Sequence, residues 1–435
     1  MLSVLSGNLL KRSLAQLMRE VILTVSFSSS LLRYPTIIVA TRRDESVPAP
    51  GEKDTLRVMN WPQDRGKSEV DGFPKLVDDI GFDMPQKALS ADGWQLEPQA
   101  KRGLLERIRT AGMPLGQYVE GRFYRGILTG LNDAFVIDGP TKNRLIVEHA
   151  SSAEIIKPFL RGRDIKRWRV ESQDLWLIFV PWHFPLHFDR SISGASAKAE
   201  HQFKASYPAI YRHLEGYKEQ LWARNKAETG VRYEWYALQR WASEYWEEFQ
   251  HPKIVVPAIQ NKVGYASDLT GFFGNDKTSI IVSERWSYLL AVLNSPVSWW
   301  LTQQLFASKQ GGFYEFKPMY VAQVPIPSSS ERKRDLIDGL VRAIVAGSSD
   351  SRLEQLLNGF VYELFFEHDL HVRGLTLFDE AEGAGVGHLA TMDGASLVAA
   401  AEMFATIHLV PGARLRTMLS DLQTLDVVRL IEDRE

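Results

Sequence analysis

The 435-residue chain contains no cysteine. That excludes disulfides, thiolate-held zinc, iron–sulfur clusters and a cysteine nucleophile together, and it fits a reducing cytoplasm. Long apolar runs are also missing. The best stretch, residues 21–40, is interrupted by four serines, Arg33 and Pro35, so no membrane span is expected. The N-terminus makes a poor secretory signal, because its apolar stretch follows Lys11, Arg12 and Arg19 and ends without a small-residue cleavage site. No phosphate-binding P-loop, nucleophile elbow or His-Glu-x-x-His occurs, and no two of the 20 prolines are adjacent.

What is present has a globular balance, with 45% apolar and 24% charged residues and length enough for two to four domains. Net charge is only −2, which argues against a uniformly basic protein. The charge is uneven, however. Residues 101–170 hold 14 Lys and Arg against 7 Asp and Glu, whereas residues 328–435 hold 10 against 18. Such asymmetry marks either a polyanion-binding face or two solvated surfaces of opposite sign.

Leu10, Leu14, Leu17 and Val21 recur at helical spacing, and Pro35–Ala40 is a β-branched apolar run suited to a strand buried on both faces. No strand–helix alternation accompanies that run, so it reads as an orphan at the edge of a domain. Residues 43–100 are polar and turn-rich and read as a connecting segment with little structure of its own. Strands are expected at 122–128, 133–138, 144–147, 174–180, 254–259, 264–266 and 278–282, with a charged, aromatic helical stretch at 198–227. Further helices are expected over 284–293, from a Ser295-Pro296 start to about 307, and over 331–346. Another opens at a Ser351-x-x-Glu354 capping box, and weaker helical patterns span 395–408 and 413–431.

Several apparent sites are poor ones. Gly383-Ala-Gly385-Val-Gly387 mimics a dinucleotide fingerprint, but no strand precedes it and the spacing is wrong. Pro185 separates His183 from His187, and His368 and His371 lack an obvious third ligand. Glu315-Phe-Lys317 resembles the end of a metal-dependent nuclease site without the upstream acidic partner.

Seven ordered blocks point elsewhere. They are GQYVEGRFYRGILTGLNDAFVID (116–138), EIIKPFLRGRDIKRW (154–168), HPKIVVPAIQ (251–260), GFFGNDKTSIIV (271–282), YLLAVLNSPVSWW (288–300), GGFYEFKPMYVAQVPIP (311–327) and LEQLLNGFVYELF (353–365). The series resembles the C-terminal part of adenine-specific DNA methyltransferases of restriction–modification systems, the TaqI-like and Eco57I-like group that includes fused type IIG enzymes. The resemblance covers about 101–367. It implies a target-recognition domain that grips duplex DNA, and Tyr34–Val39 is similar to the last strand of the family's catalytic domain. It also implies an Asn-Pro-Pro-Tyr motif to hold a flipped adenine, and the absence of adjacent prolines means that motif is not in this chain. S-adenosylmethionine is therefore expected on a catalytic domain or partner outside this sequence, and no cofactor or catalytic residue is assigned within it.

Arg and Lys neutralise phosphates, while bidentate side chains read base edges. The basic cluster Lys157, Arg161, Arg163, Lys166, Arg167 and Arg169 is a set of phosphate contacts or a solvated edge. Lys309, Gln310, Gly311, Gly312 and Tyr314, continued by Lys317, form a loop in which glycines permit close approach and Gln310 can pair with adenine; its alternative is a plain turn. Arg122, Arg125, Thr129 and Asn132 lie in the block most similar to the family, with a turn at Asn132-Asp133 as the alternative. Tyr233, Trp235, Tyr236, Gln239 and Arg240 mix aromatics with donors, either as core or as groove contacts.

The expected architecture is α+β. It comprises a remnant of a methyltransferase sheet (1–45), a linker (46–100), a recognition domain of mixed strands and helices (101–327) and a helical C-terminal extension (328–435). The expected function is sequence-specific recognition of double-stranded DNA for an adenine-N6 methyltransferase or restriction–modification enzyme, in the cytoplasm and without a membrane. Two rivals stand beside it. One is a subunit that becomes active on docking with a separate catalytic polypeptide, and the other is a protein-interaction module with no DNA role.

Overall fold

The apolar run at Thr36–Ala40 does form a strand, and it has a partner. In the computed structural model, which describes residues 21–25, 36–40, 54–59, 73–88, 96–225 and 229–433, β1 (Val21–Val25) pairs antiparallel with β2 (Thr36–Ala40). Val21 lies opposite Ala40 and Val25 opposite Thr36. This corrects the reading of an orphan awaiting a parallel sheet. Two β-branched runs ten residues apart can close locally as an antiparallel pair, whereas parallel pairing needs a crossover of a dozen residues or more. The helix expected on Leu10, Leu14 and Leu17 lies outside the described residues, and Val21 opens β1 instead.

The chain divides into two compact units, Met1–Ile108 and Arg109–Glu435. The first also holds β3 (Thr55–Val58), helix α1 (Phe73–Ile80) and β4 (Phe82–Pro85), with β3 and β4 antiparallel. The stretch expected to be a bare linker therefore carries structure, and Arg57 shows why. Its guanidinium donates to the carbonyls of Val77 (3.3 Å) and Asp78 (2.9 Å) at the end of α1 and pairs with Asp83 (3.4 Å). One strand residue thus caps the helix that links its strand to the next. Helix α2 (Gln99–Thr110) buries Leu104, Leu105 and Ile108 on one stripe.

The second unit is built on two small sheets. A five-stranded sheet runs in the order β6 (Phe123–Arg125), β15 (Thr278–Val282), β11 (Lys253–Pro257), β13 (Ala266–Asp268), β9 (Trp168–Arg169). All its pairings are antiparallel except β13 with β9. A four-stranded sheet runs β14 (Phe273–Gly274), β8 (Ile156–Leu160), β10 (Leu175–Ile178), β7 (Val136–Asp138). Two short pairs complete the strands: β5 (Gly112–Pro114) with β17 (Pro325–Pro327), and β12 (Ile259–Gln260) with β16 (Tyr314–Glu315). The fold is α+β, as the sequence implied.

One strand expectation fails and a second is met only over its last three residues. Residues 144–147 belong to helix α3 (Gly139–Glu148), because Asp138 caps its start by accepting from the Thr141 amide (2.9 Å) and Pro140 sits in the first turn. In the apolar triplet Leu145-Ile146-Val147, Leu145 is fully buried and Val147 is 87% exposed, a one-sided pattern that suits a helix. The stretch 133–138 opens with a helical turn, Asn132–Phe135, before β7 begins. The stretch 198–227 becomes α4 (Ala197–Ser206), α5 (Pro208–Glu215) and α6 (Lys218–Ala223). Tyr233, Trp235 and Tyr236 are at most 1% exposed and belong to the core, not to a surface.

Helix α7 (Trp286–Leu293) is buried at seven of its eight positions. Ser295 then caps α8 (Pro296–Leu305), its hydroxyl accepting from the Ser298 amide at 3.2 Å. The short helix α9 (Pro318–Val321) precedes the C-terminal helices, which belong to the same unit: α10 (Glu331–Val345), α11 (Ser351–His371), α12 (Leu377–Gly383), α13 (Gly394–His408), α14 (Arg414–Leu422) and α15 (Asp426–Ile431). The cap of α11 is Asp350 rather than Ser351; its carboxylate accepts from the Arg352 amide at 3.0 Å.

Among its histidines, His371 does find company. Its Nε2 lies 2.9 Å from Glu363, and Glu367 completes a group whose ligand atoms fall within 4.8 Å of one another. His368 takes no part in it. The Phe378 amide donates to Glu363 (3.0 Å) and the Lys333 ammonium to Glu367 (2.8 Å), so both carboxylates already have partners from the protein.

At the centre of the five-stranded sheet, Lys253 on β11 and Asp268 on β13 form an ion pair 2.7 Å long with both side chains 0% exposed. Lys253 also donates to the Phe249 carbonyl. Asp268 accepts from the amides of Thr270 (2.8 Å), Gly271 (3.2 Å) and Phe272 (2.8 Å) and from the Thr270 hydroxyl (2.9 Å). Removing one member of such a pair strands the other charge in a dry interior, at a cost of about 3–5 kcal/mol. Lys253→Ala should lower the unfolding free energy by that amount, and urea titration followed by circular dichroism would record it; a loss below about 1 kcal/mol would show that Asp268 is satisfied by its amides alone.

Candidate nucleic-acid interface

The basic side chains singled out by the sequence separate into two groups at opposite edges of the five-stranded sheet. Arg125 lies on edge strand β6, and the segment Arg161–Glu171 surrounds the other edge strand, β9. Four interstrand spacings of about 4.8 Å put these edges roughly 19 Å apart.

At the β6 edge the sequence makes a tight reversal. Helix α8 ends at Leu305 and β16 begins at Tyr314, so the chain must turn within a few residues. Gly311 (φ 76°) and Gly312 (φ 73°) occupy the left-handed region that an L side chain resists, which is what Gly-Gly provides here. The Lys309 amide donates to the Phe313 carbonyl at 2.6 Å, closing the turn, and Ser308 and Tyr314 form an antiparallel bridge. Trp299 of α8 meets the Tyr314 ring edge-on at 5.6 Å between centroids. Gln310, Gly311 and Gly312 are exposed at the tip.

Glu315 fixes the base of this turn. Its two oxygens take the ammonium groups of Lys309 and Lys317, each at 2.7 Å. Hydrogen bonds from Lys309 and Lys317 hold the Glu315 carboxyl below its ordinary value, and the same contact raises Lys317. The motif that mimicked a nuclease site is thus a two-lysine clamp. Lys317 also leads into α9, which packs beside β6 and brings this loop towards Arg125.

Two of the residues expected at a DNA face are held by partners within the chain. Arg122 donates to both oxygens of Glu248 (3.2 and 2.7 Å), which also accepts from the Tyr124 hydroxyl (3.3 Å). Its guanidinium therefore fastens β6 to the segment before β11. Thr129 is buried; its hydroxyl donates to Asn132 Oδ1 at 2.7 Å, and Asn132 itself is exposed. Thr129 thus orients the Asn132 side chain instead of meeting a ligand.

Behind that loop sits a residue that no sequence pattern marks. Arg224 is 8% exposed and donates to the carbonyls of Leu221 (3.0 Å), Thr129 (2.6 Å), Trp235 (2.7 Å) and Ala237 (2.8 Å). It has no carboxylate partner among the described residues, and burial pulls its pKa down to about 10. Gly130 (φ 78°) is packed so closely that a β-carbon would lie 2.6 Å from Gln239 Oε1. A lone arginine at the end of a short helix looks like any surface arginine until the contacts are known.

The group at the β9 edge is also sorted by its partners. Arg161 folds back on Asp164, donating to it through its amide (2.9 Å) and guanidinium (3.1 Å). Arg167 pairs with Glu354 and donates to the Asn294 carbonyl (2.7 Å), and the neighbouring Trp168 indole donates to Glu354 (3.2 Å). Both tie the segment to α11. Lys157 is half-buried on β8, and desolvation lowers its pKa. That leaves Arg163, Lys166 and Arg169 exposed, with Lys166 Nζ donating only to the Arg163 carbonyl (2.9 Å).

Because Glu315 neutralises two lysines, its charge sets how much positive potential the turn presents. Glu315→Gln should release both ammonium groups. Nonspecific duplex affinity should rise and its salt dependence steepen by up to two phosphate contacts' worth, while discrimination between sequences falls as the turn loosens; fluorescence anisotropy across a salt series would show it. Acid does the same: with Glu315 depressed in the folded state, the clamp holds above its unfolded pKa of about 4.3 and is lost as pH falls through the lower folded value.

Parts of the chain are similar to known proteins. The chain is 21% identical over 231 residues to the type II methyltransferase M.MjaIV of Methanocaldococcus jannaschii, a span of 51% of this chain and 69% of that protein. Among solved structures, one of the type IIL restriction-modification enzyme MmeI in complex with DNA aligns with 68% of this chain at 12% identity and a TM-score of 0.35. This chain covers 35% of the length of that one. Residues 157–326, the stretch that holds both the β9-edge segment and the glycine turn, match the family model of the TaqI-like C-terminal specificity domain.

Proposed function

We propose that residues 101–327 bind double-stranded DNA sequence-specifically, as the recognition module of an adenine-N6 DNA methyltransferase of a restriction–modification system, in the type IIG manner and in the cytoplasm. The observation that carries the reading is the glycine turn. It presents Gln310 at an exposed tip, on a backbone free of β-carbons at two successive positions, above a base made rigid by Glu315, Lys309 and Lys317. A side chain on a narrow, stiff turn can enter a groove and meet adenine N6 and N7 with its amide.

The division of labour follows from the partners. Arg163, Lys166 and Arg169 on one edge would contact phosphate and set register, while Glu315 keeps the turn's lysines committed to the loop. Gln310 and Asn132 would read bases. The match to a specificity domain supports this assignment, and so does the relative named as a type II methyltransferase. Methyl transfer itself would belong to a catalytic domain or separate subunit that carries S-adenosylmethionine. This chain has no Asn-Pro-Pro-Tyr to hold an adenine, so none of its residues is given a step in that reaction.

The test is binding of the chain to mixed-sequence duplex at roughly 50 and 200 mM salt, since six to ten phosphate contacts would weaken affinity by about 10³–10⁵ over that range. Lys166→Ala should reduce the logarithmic salt slope by about 0.9, whereas Gln310→Ala should leave the slope alone and flatten preference in a selection from random duplexes. Absence of binding at the lower salt would overturn autonomous recognition.

A further inference from the structure

The turn's own lysines are held by Glu315 and Arg122 by Glu248, so the uncommitted positive charge of this edge lies elsewhere. It lies on Arg125 and Arg240. Both are exposed, and neither guanidinium has a carboxylate partner among the described residues.

Their placement is fixed by backbone. Leu128 and Arg240 exchange both hydrogen bonds of an antiparallel bridge, at 3.0 and 2.9 Å. Arg125 ends β6 three residues before Leu128, a stretch of chain that can span at most about 10 Å. The surface between is stiff. Tyr124 stacks on Tyr245 with ring centroids 4.6 Å apart, and Glu248 ties Tyr124 and Arg122 together. Helix α9 sits beside β6, and its cap is Lys317. Charge confirms the proximity: Arg125 opposes protonation of Lys317, and Arg240 and Arg125 both act against the burial that raises the Tyr245 phenol. Glu244, exposed nearby, acts on Tyr245 in the opposite sense.

We propose that Arg125 and Arg240 form a second grip on the phosphate backbone, beside the glycine turn and separate from it. Two planar guanidinium groups carried from backbone positions no more than about 16 Å apart, three residues of chain plus one cross-strand pair, suit neighbouring phosphates of one strand, which recur every 3.4 Å along the axis. This rests on the reading of the chain as a duplex-DNA binder. It adds that the strand held at this edge runs past β6 and Leu128, so that Asn132, four residues further on, faces the same groove as Gln310.

The experiment compares the full chain with Arg125→Ala, Arg240→Ala, the double variant and Arg373→Ala, using anisotropy on one mixed-sequence duplex at five salt concentrations. Arg373 is an exposed arginine of the C-terminal extension and controls for net charge. Each edge variant should reduce the logarithmic salt slope by about 0.9 and the double variant by about 1.8, with unchanged melting temperature and an unchanged slope for Arg373→Ala. Arg240→Lys should restore most of the slope. If the unaltered chain binds steeply but the edge variants keep its slope, this grip is overturned and the recognition reading survives. Equal loss in Arg373→Ala also overturns it, because the effect would then be one of overall charge. If the unaltered chain shows no binding, both fall together.

Discussion

A lysine and an aspartate with no access to water sit at the middle of the five-stranded sheet, and much of the second unit is arranged around satisfying them. Lys253 and Asp268 come from adjacent strands, so their pairing fixes the register of β11 against β13. Asp268 then spends its remaining lone pairs on three amides of the turn that leads to β14, and Lys253 reaches the carbonyl of Phe249. Two sheets and the aromatic segment before β11 are thereby connected through one charge pair. Burial lowers the Lys253 pKa while Asp268 acts to raise it, the balance expected where each ion needs the other.

The same logic of partner choice separates scaffold from surface. Arg122, Arg161, Arg167 and Arg224 are all arginines of the second unit, and all are used internally, by Glu248, Asp164, Glu354 and a set of carbonyls. What remains outward is a shorter set at the two sheet edges. Positive residues in this sequence are therefore a poor guide, one by one, to which charges stay uncommitted at the surface.

Elements with strong local signals were legible. Ser295-Pro296 caps a helix as its residue types dictate, and Thr278–Val282 is a strand at the expected residues. The family resemblance was legible as well, since its blocks are ordered stretches of sequence. Less visible was anything decided by distant contacts. Leu145–Val147 has strand-like composition, but a cap at Asp138 set seven residues earlier makes it a helix. The 43–100 stretch looked unstructured because Arg57 finds its carbonyls and its carboxylate some twenty to twenty-six residues away. Glu315 was read with its neighbours as a mimic, and only folding shows that both lysines converge on it. Arg224 carried no signal at all, because four carbonyls leave no trace in a sequence.

Arg224 has one more consequence. It holds the 129–132 loop by a backbone carbonyl and anchors it to two other backbone carbonyls, so no side chain of the loop is needed for the attachment. Apart from Gly130, whose conformation and packing leave no room for a β-carbon, and Thr129, whose buried hydroxyl holds the Asn132 side chain, the exposed residues are decoupled from the attachment. A loop of that kind can drift in sequence without drifting in position. A substitution at the exposed position 132 would leave that attachment in place, because the buried guanidinium grips the loop through its backbone.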